Sequence, residues 1–269
     1  MRVERVLLKD FTTLGVGGPA ELWLVEDEAD LLRATEAPYR VLGNGSNLLV
    51  SDAGVKERVI KLGGRFQEGE LLGWVGAGTP LPYWVSQAAR EGYSGLEPLL
   101  GIPASVGGAV KMNAGTRFGE IKDALAEVEL FYEGRLIRLA PEALGLAYRK
   151  SALPKGAIIT RVRFDLKKRP KEEIYELMER VDAARRRQPR SKSAGCAFKN
   201  PPGDAAGRLI DQAGFKGFRV GGAMVSPEHA NFVVNLGGAT ASEVWALVRR
   251  IQRELGLELE WEVWGSFEP

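Results

Sequence analysis

The chain has one cysteine, Cys196, and one histidine, His229, in 269 residues. A single thiol excludes an intrachain disulfide framework and a thiolate zinc cluster. A single imidazole excludes a histidine-rich metal site. No stretch approaches the roughly 20 consecutive apolar residues that span a bilayer. The N-terminal run MRVERVLLKDF mixes charges into its apolar residues and offers no cleavable apolar core, so a cytoplasmic protein is expected, with no membrane partner. Neither charge dominates: 37 Lys and Arg against 35 Asp and Glu leave +2, which weakens any reading as a dedicated nucleic-acid binder. Two common phosphate-loop signatures are missing as well. GNGSN at 43–47 does not extend to G-x-G-x-x-G, because position 48 is leucine, and there is no G-K-[ST].

Glycine is what the chain has in excess: 33 of 269 residues, about 12%, against a usual value of roughly 7%. Such an excess implies many positions of positive φ, or backbone pressed against a neighbour or a ligand. The remaining composition, 45% hydrophobic and 27% charged, describes a soluble globular protein long enough for one large domain or two ordinary ones.

Residues 20–26 (AELWLVE) read as a strand. Asp27 then reads as the N-cap of a helix that ends near Pro38. Strands are expected at 39–43, 57–63 and 71–77, and β–loop–β across 41–54. Thr79-Pro80 marks the start of a helix running to a C′ glycine at Gly92. The glycine-dense stretch 93–119 excludes a regular helix throughout. A hairpin is expected over 124–139 with its turn at Glu133-Gly134, and a further strand at 157–166. The charged segment KKRPK at 167–171 reads as a boundary. Beyond it, Ile174, Leu177, Met178, Val181 and Ala184 mark an amphipathic helix. A short helix is expected near 204–213. Thr240 and Glu243 form a capping box for a second amphipathic helix whose apolar face is Val244, Leu247, Val248, Ile251 and Leu255. The piece 257–267 is strand-like.

Two glycine-rich segments are candidate ligand sites. In GNGSN at 43–47, successive backbone N–H groups would form a concavity suited to phosphate oxygens; a plain tight turn is the alternative. In GIPASVGGAVKMNAG at 101–115, small residues would let backbone approach a flat ring system; close packing of two elements is the alternative.

Together, TTLGVGGPAE (12–21), VLGNGSNLLV (41–50), GLEPLLGIPASVGGAVKMNAG (95–115), YRKS (148–151), SAGCAFKNPPG (193–203) and AGFKGFRVGGAMVSPEHANFVVN (213–235) resemble the UDP-N-acetylenolpyruvylglucosamine reductases of peptidoglycan precursor synthesis. The matches extend over nearly the whole chain in family order and fit the short type. The resemblance implies an α+β fold: a two-part FAD-binding region of the vanillyl-alcohol-oxidase/PCMH type (1–165, subdomains about 1–53 and 54–165), a smaller α+β substrate-binding domain (166–255), and a C-terminal segment (256–269) returning toward the active site. It implies non-covalent FAD, NADPH as reductant, a UDP-sugar substrate, and a monomer.

The implied reaction reduces an enol ether to a lactyl ether. Hydride reaches the vinyl carbon by way of the flavin, and the enolate left behind needs positive charge at its oxygens and a proton at its carbon. Arg149, in YRKS, matches the arginine that supports the substrate carboxylate, for which a planar guanidinium fork is suited. Cys196 stands where the family commonly has serine as proton donor; a thiol, with a reference pKa of ≈ 8.5, is the better acid. Glu262 matches an assisting glutamate, with Glu260 as a rival. The implied cofactor-binding residues are Gly43, Asn44, Gly45, Ser46, Asn47, Ser105, Gly107, Gly108, Asn113, Ala114 and Gly115, acting chiefly through backbone amides of 43–47 and 105–115. Tyr148, Gln188, Arg190, Lys199 and Asn200 are implied for the substrate, and Lys192 belongs to the same polar run as Gln188 and Arg190. His229 reads as a structural histidine. Another FAD oxidoreductase of the same cofactor fold, or a non-enzymatic sugar-nucleotide binder, are the competing functions.

Overall fold

In the computed structural model, which describes residues 1–268, Asp27 accepts the Asp30 N–H at 2.9 Å and opens α1 (Glu28–Ala34). The helix ends at its C-cap Thr35, short of Pro38, and the Thr35 hydroxyl bonds back to the Leu31 carbonyl at 2.8 Å. Helix α2 (Leu81–Glu91) ends on Gly92, whose φ of +74° is the left-handed cap expected there. Pro80 is its N-cap residue with extended backbone, so the helix begins one residue later than the Thr79-Pro80 signal indicates. Inside 93–119 lie a 3-10 turn at Glu97–Leu99 and one short α-helix, α3 (Val106–Lys111). Helices α4 (Lys171–Arg185), α5 (Ala206–Gln212) and α6 (Ala241–Leu255) follow; α6 has the full Thr240/Glu243 capping box and buries Val244, Leu247, Val248 and Ile251.

Three expected elements differ. Of 71–77 only Val75–Gly76 is strand, because Gly73 N–H turns back to the Glu70 carbonyl. Lys167–Lys168 is a two-residue strand paired with Tyr93–Ser94 rather than a bare boundary. Of 257–267 only Glu262–Trp264 is strand, parallel to Leu48–Val50.

The chain divides into two compact units that do not follow its linear order. One comprises Met1–Val3, Trp23–Asn44 and Val59–Arg186; the other comprises Glu4–Leu22, Gly45–Arg58 and Arg187–Pro269. The first is built on an antiparallel sheet in the order Arg135–Leu139, Leu125–Tyr132, Ile158–Phe164, Val75–Gly76. The Glu133-Gly134 turn has positive φ at both residues, the conformation that suits the twist of a two-residue hairpin. Val128, Leu130, Phe131 and Val162 from this sheet join Phe66, Trp84, Val106 and Val110 in one core.

The second unit has its own sheet, in the order Lys192–Cys196, Phe232–Asn235, Ala223–Val225, Arg219–Val220, all antiparallel. Its core combines Val225 and Val233 with the apolar face of α6, Ile210, Phe198 and Trp261. Asp52 ties the segment after Leu48–Val50 to this core: its carboxylate accepts the Ala241 and Ser242 N–H groups at 2.8 and 2.9 Å, at the start of α6. No helix among the described residues is long and apolar enough to cross a membrane.

Candidate active site

The loop 43–47 is shaped by glycine. Gly45 has φ +62°, and a Cβ there would lie 2.1 Å from the Phe11 carbonyl oxygen. A Cβ on Gly43 would come 2.5 Å from Ser105 Oγ. Asn44 Nδ2 donates to the Pro103 carbonyl at 3.3 Å, and Asn47 Nδ2 to the Glu260 carbonyl at 3.2 Å. The backbone N–H groups of all five residues are different: among the described residues none has an acceptor. They are half-buried, and Gly45 is buried. Consecutive backbone donors without a protein acceptor are available to an anionic ligand. Lys61 adds positive charge at the same place, its ammonium donating to the Gly43 carbonyl at 3.1 Å.

The segment 105–115 is organised otherwise. Ser105 caps α3, its hydroxyl accepting the Gly108 N–H at 3.2 Å. Gly107 N–H goes to Ala77, Asn113 to Val110 and Ala114 to Ala109. These amides are taken up within the helical turn or by Thr79 and Ala77, so the expectation that this whole segment offers amides to a cofactor is corrected; the Ser105 N–H has no acceptor among the described residues. The small residues leave the alternative of van der Waals approach.

Asn113 is fully buried at φ +42°. Its Nδ2 donates to Glu120 at 2.9 Å and to the Ala147 carbonyl at 3.1 Å, which fixes the turn 147–150. Ala147 and Lys150 exchange two backbone hydrogen bonds, so Tyr148 and Arg149 are the corner residues of a tight turn. Arg149 occupies φ +55°, a strained conformation for a bulky side chain and one that gathers at functional sites. Its guanidinium donates to the carbonyls of Gly115 (2.9 Å) and Asn113 (3.5 Å) and lies 5.0 Å over the Tyr148 ring. Nearby Glu120 is pushed up by burial, but hydrogen bonds from Lys122 and Asn113 and the charges of Lys122 and Arg149 outweigh that and hold it below the usual carboxylate range.

In the second unit, Cys196 is half-buried and follows Gly195, whose φ of +74° marks an irregularity in the pairing of Lys192–Cys196 with Phe232–Asn235. The next three residues are clamped from both sides. Ala197 N–H donates to the Asn231 carbonyl and Lys199 N–H to the Glu258 carbonyl, while Glu260 N–H donates to Ala197. The Asn231 side chain supplies one further rung, accepting the Phe198 N–H at 2.9 Å and donating to the Phe198 carbonyl at 2.8 Å. Sequence reasoning missed Asn231; its position two residues after the only histidine was the available signal. His229 is structural in the way expected: its Nδ1 accepts the Asn231 N–H at 3.2 Å, its ring meets Phe232 edge-on, and burial holds its pKa down.

Lys199 places its ammonium 2.5 Å from the Glu258 carboxylate, so its charge is shared rather than open. Asn200 Oδ1 accepts the Ala206 N–H at 2.9 Å at the start of α5; its Nδ2 has no partner among the described residues. Glu262 is exposed and accepts from Trp264 Nε1 at 2.9 Å, while the backbone of Glu260 is tied to Ala197, the neighbour of Cys196. Gln188 is half-buried; Arg190 and Lys192 are exposed on the strand and loop leading to Cys196, and Tyr148 is exposed on its turn. No group of acidic, cysteine or histidine side chains suited to a metal ion occurs among the described residues.

A family model for the C-terminal domain of UDP-N-acetylenolpyruvoylglucosamine reductase matches residues 188–264, and one for an FAD-binding domain matches 20–140. The reductase of Thermus thermophilus is 70% identical over 264 residues, covering 98% of this chain and 100% of that protein. This chain belongs to the UDP-N-acetylenolpyruvoylglucosamine reductase family. The Deinococcus radiodurans reductase is 49% identical over 98% of this chain and 96% of its own length. The crystal structure of the Thermus caldophilus reductase superposes with a TM-score of 0.97 at 70% identity, covering 98% and 100% of the two chains. The fold is thus α+β with an FAD-binding domain. The residues present fit that cofactor, because the open N–H row at 43–47 offers clustered donors for a diphosphate.

Proposed function

We infer that this reductase-family chain uses NADPH and FAD to reduce the enolpyruvyl ether of UDP-N-acetylglucosamine to the lactyl ether, UDP-N-acetylmuramate. The observation that carries the reading is 70% identity along the full length of a reductase.

When bound, FAD supplies hydride transfer from NADPH to the vinyl carbon of the substrate. The chain's own residues do the rest. Arg149 supports the substrate carboxylate and the enolate charge that develops on it; anchoring on two carbonyls orients its guanidinium before substrate arrives, which favours the charged state formed in the transition state. Cys196 donates its thiol proton to the carbon that bears the carboxylate, and the clamp through Asn231 holds the segment that follows it, at Phe198. Glu262 assists at the carboxylate, with Glu260 as the rival. Lys199, Asn200, Tyr148, Gln188 and Arg190 bind the substrate; the Nδ2 of Asn200 is suited to a sugar or carboxylate oxygen.

The residues Gly43, Asn44, Gly45, Ser46 and Asn47 hold the cofactor through backbone donors, and Ser105, Gly107, Gly108, Asn113, Ala114 and Gly115 shape its surroundings. The FAD is non-covalent. The proposed division of labour is cofactor binding in 1–165, substrate binding in 166–255, and return of Glu262 within 256–269. A nucleotide-sugar substrate suits a cytoplasmic enzyme, which we propose acts as a monomer.

The test is NADPH consumption by purified, flavin-loaded protein on adding UDP-N-acetylenolpyruvylglucosamine, with mass spectrometry of the product. Substrate-dependent oxidation of NADPH and a product heavier by one hydride and one proton are expected. Oxidation that ignores the substrate and goes only to oxygen would favour another FAD oxidoreductase.

A further inference from the structure

Lys61 lies in the strand Arg58–Leu62, an inner strand of a four-stranded sheet. Side chains alternate along a strand, so Ile60 and Leu62 share one face and Val59 and Lys61 the other. Ile60 and Leu62 are core residues, and Val59 is fully buried as well, so the face that carries Lys61 is covered and not a solvent face. An ammonium there loses hydration. It has three donors, yet its single hydrogen-bond partner is the Gly43 carbonyl at 3.1 Å, and no carboxylate pairs with it among the described residues. Burial holds its pKa below the ordinary lysine value. The carbonyl it holds belongs to the first residue of the loop whose five consecutive N–H groups also lack acceptors. An unpaired cation and a row of unpaired donors at one loop are complementary to one polyanion.

We propose that Lys61 is the counter-cation of the FAD diphosphate, seated behind the loop 43–47 through the carbonyl of Gly43. The assignment depends on the FAD reading given above and adds a residue to it. The ammonium keeps the loop open toward the ligand by holding a carbonyl back, and it contributes positive potential where the diphosphate charge arrives. A plain loop anchor would do only the first of these.

The experiment is fluorescence titration of FAD into deflavinated wild-type, Lys61→Met and Lys61→Arg proteins at low and moderate ionic strength, with melting curves of each apoprotein. Lys61→Met is expected to weaken FAD binding by roughly 10- to 100-fold, the range for a lost charge-assisted hydrogen bond. Its affinity should also respond less to salt than that of the wild type. Lys61→Arg should recover most of the affinity. The Lys61→Met apoprotein should melt no lower than the wild type, because an unpaired half-buried cation is gone. Wild-type affinity in Lys61→Met would overturn the proposal. So would weakened binding with the wild-type salt response, or a markedly lower apoprotein melting temperature, either of which marks a scaffold lysine. Wild-type protein that bound no FAD would overturn both the function and this assignment.

Discussion

Replacing Arg149 with glycine separates what this residue does for the fold from what we propose it does for the reaction. Its φ of +55° costs a non-glycine residue about 1–2 kcal/mol, and glycine relieves that. Against this stand three losses. The bond to the Gly115 carbonyl at 2.9 Å is worth about 1 kcal/mol, the one to Asn113 at 3.5 Å less, and the contact with the exposed Tyr148 ring about 0.5–1 kcal/mol. Glycine also loosens the unfolded chain by about 0.4–1 kcal/mol. With the attraction to Glu120, a fraction of a kcal/mol for a part-exposed pair, the sum is a modest destabilisation of about 1–2 kcal/mol. The reaction has no such compensation: removal of one preorganised charge donor at a developing oxyanion typically slows chemistry 10²–10³-fold. Arg149→Gly should therefore unfold in urea with modestly reduced stability and reduce its flavin with NADPH normally. Stopped-flow reoxidation of the reduced flavin by substrate should slow by about 10²-fold or more. Reoxidation at the wild-type rate would remove Arg149 from the mechanism. A stability loss above about 3 kcal/mol, beyond the sum of these contributions, would show that the turn depends on the guanidinium and that the strain is there for folding.

Cys196→Ala should likewise spare flavin reduction and slow reoxidation by about 10²–10⁴-fold, the range for a positioned general acid, whereas Cys196→Ser should keep substantial activity; equal rates in all three proteins would point to Glu262, Lys199 or a water as the proton source. Asp52 feels burial, which raises its pKa, but hydrogen bonds from Ala241 and Ser242 outweigh it and leave the pKa below the ordinary value. Its contribution to stability is therefore complete above the ordinary aspartate range and disappears as pH falls through the lowered folded-state value. Asp52→Asn should cost about 1 kcal/mol at neutral pH, a cap-sized effect discounted for exposure, with the difference from wild type shrinking in acid; urea melts across pH 2–7 check this, and a pH-independent difference would refute the charge assignment. Exchanging Glu262→Gln and Glu260→Gln one at a time should place the larger loss of reoxidation rate on Glu262; the reverse order would transfer the role to Glu260.

Local signals in the sequence translated directly where the physics is local. Asp27, Gly92, the Glu133-Gly134 turn and the Thr240/Glu243 box act within one turn of chain, and each is where the pattern put it. Apolar spacing likewise determined the buried face of α6, because a helix of regular pitch can bury only one stripe. Six stretches in family order, with the specific motifs at 95–115 and 193–203 among them, together named the family. Tertiary structure decided the rest. Whether the 105–115 amides face a ligand depended on six residues closing into α3, and a short helix amid glycines has no periodic signature. The strand 71–77 shrank because a turn at 70–73 competed with it. Asn231 and Lys61 were invisible as functional candidates, since each acts on a residue far away in sequence: Phe198 through paired amide bonds, Gly43 through one carbonyl. An asparagine in an apolar run and a lysine in a strand have no meaning until the chain folds and shows which donors and acceptors they meet.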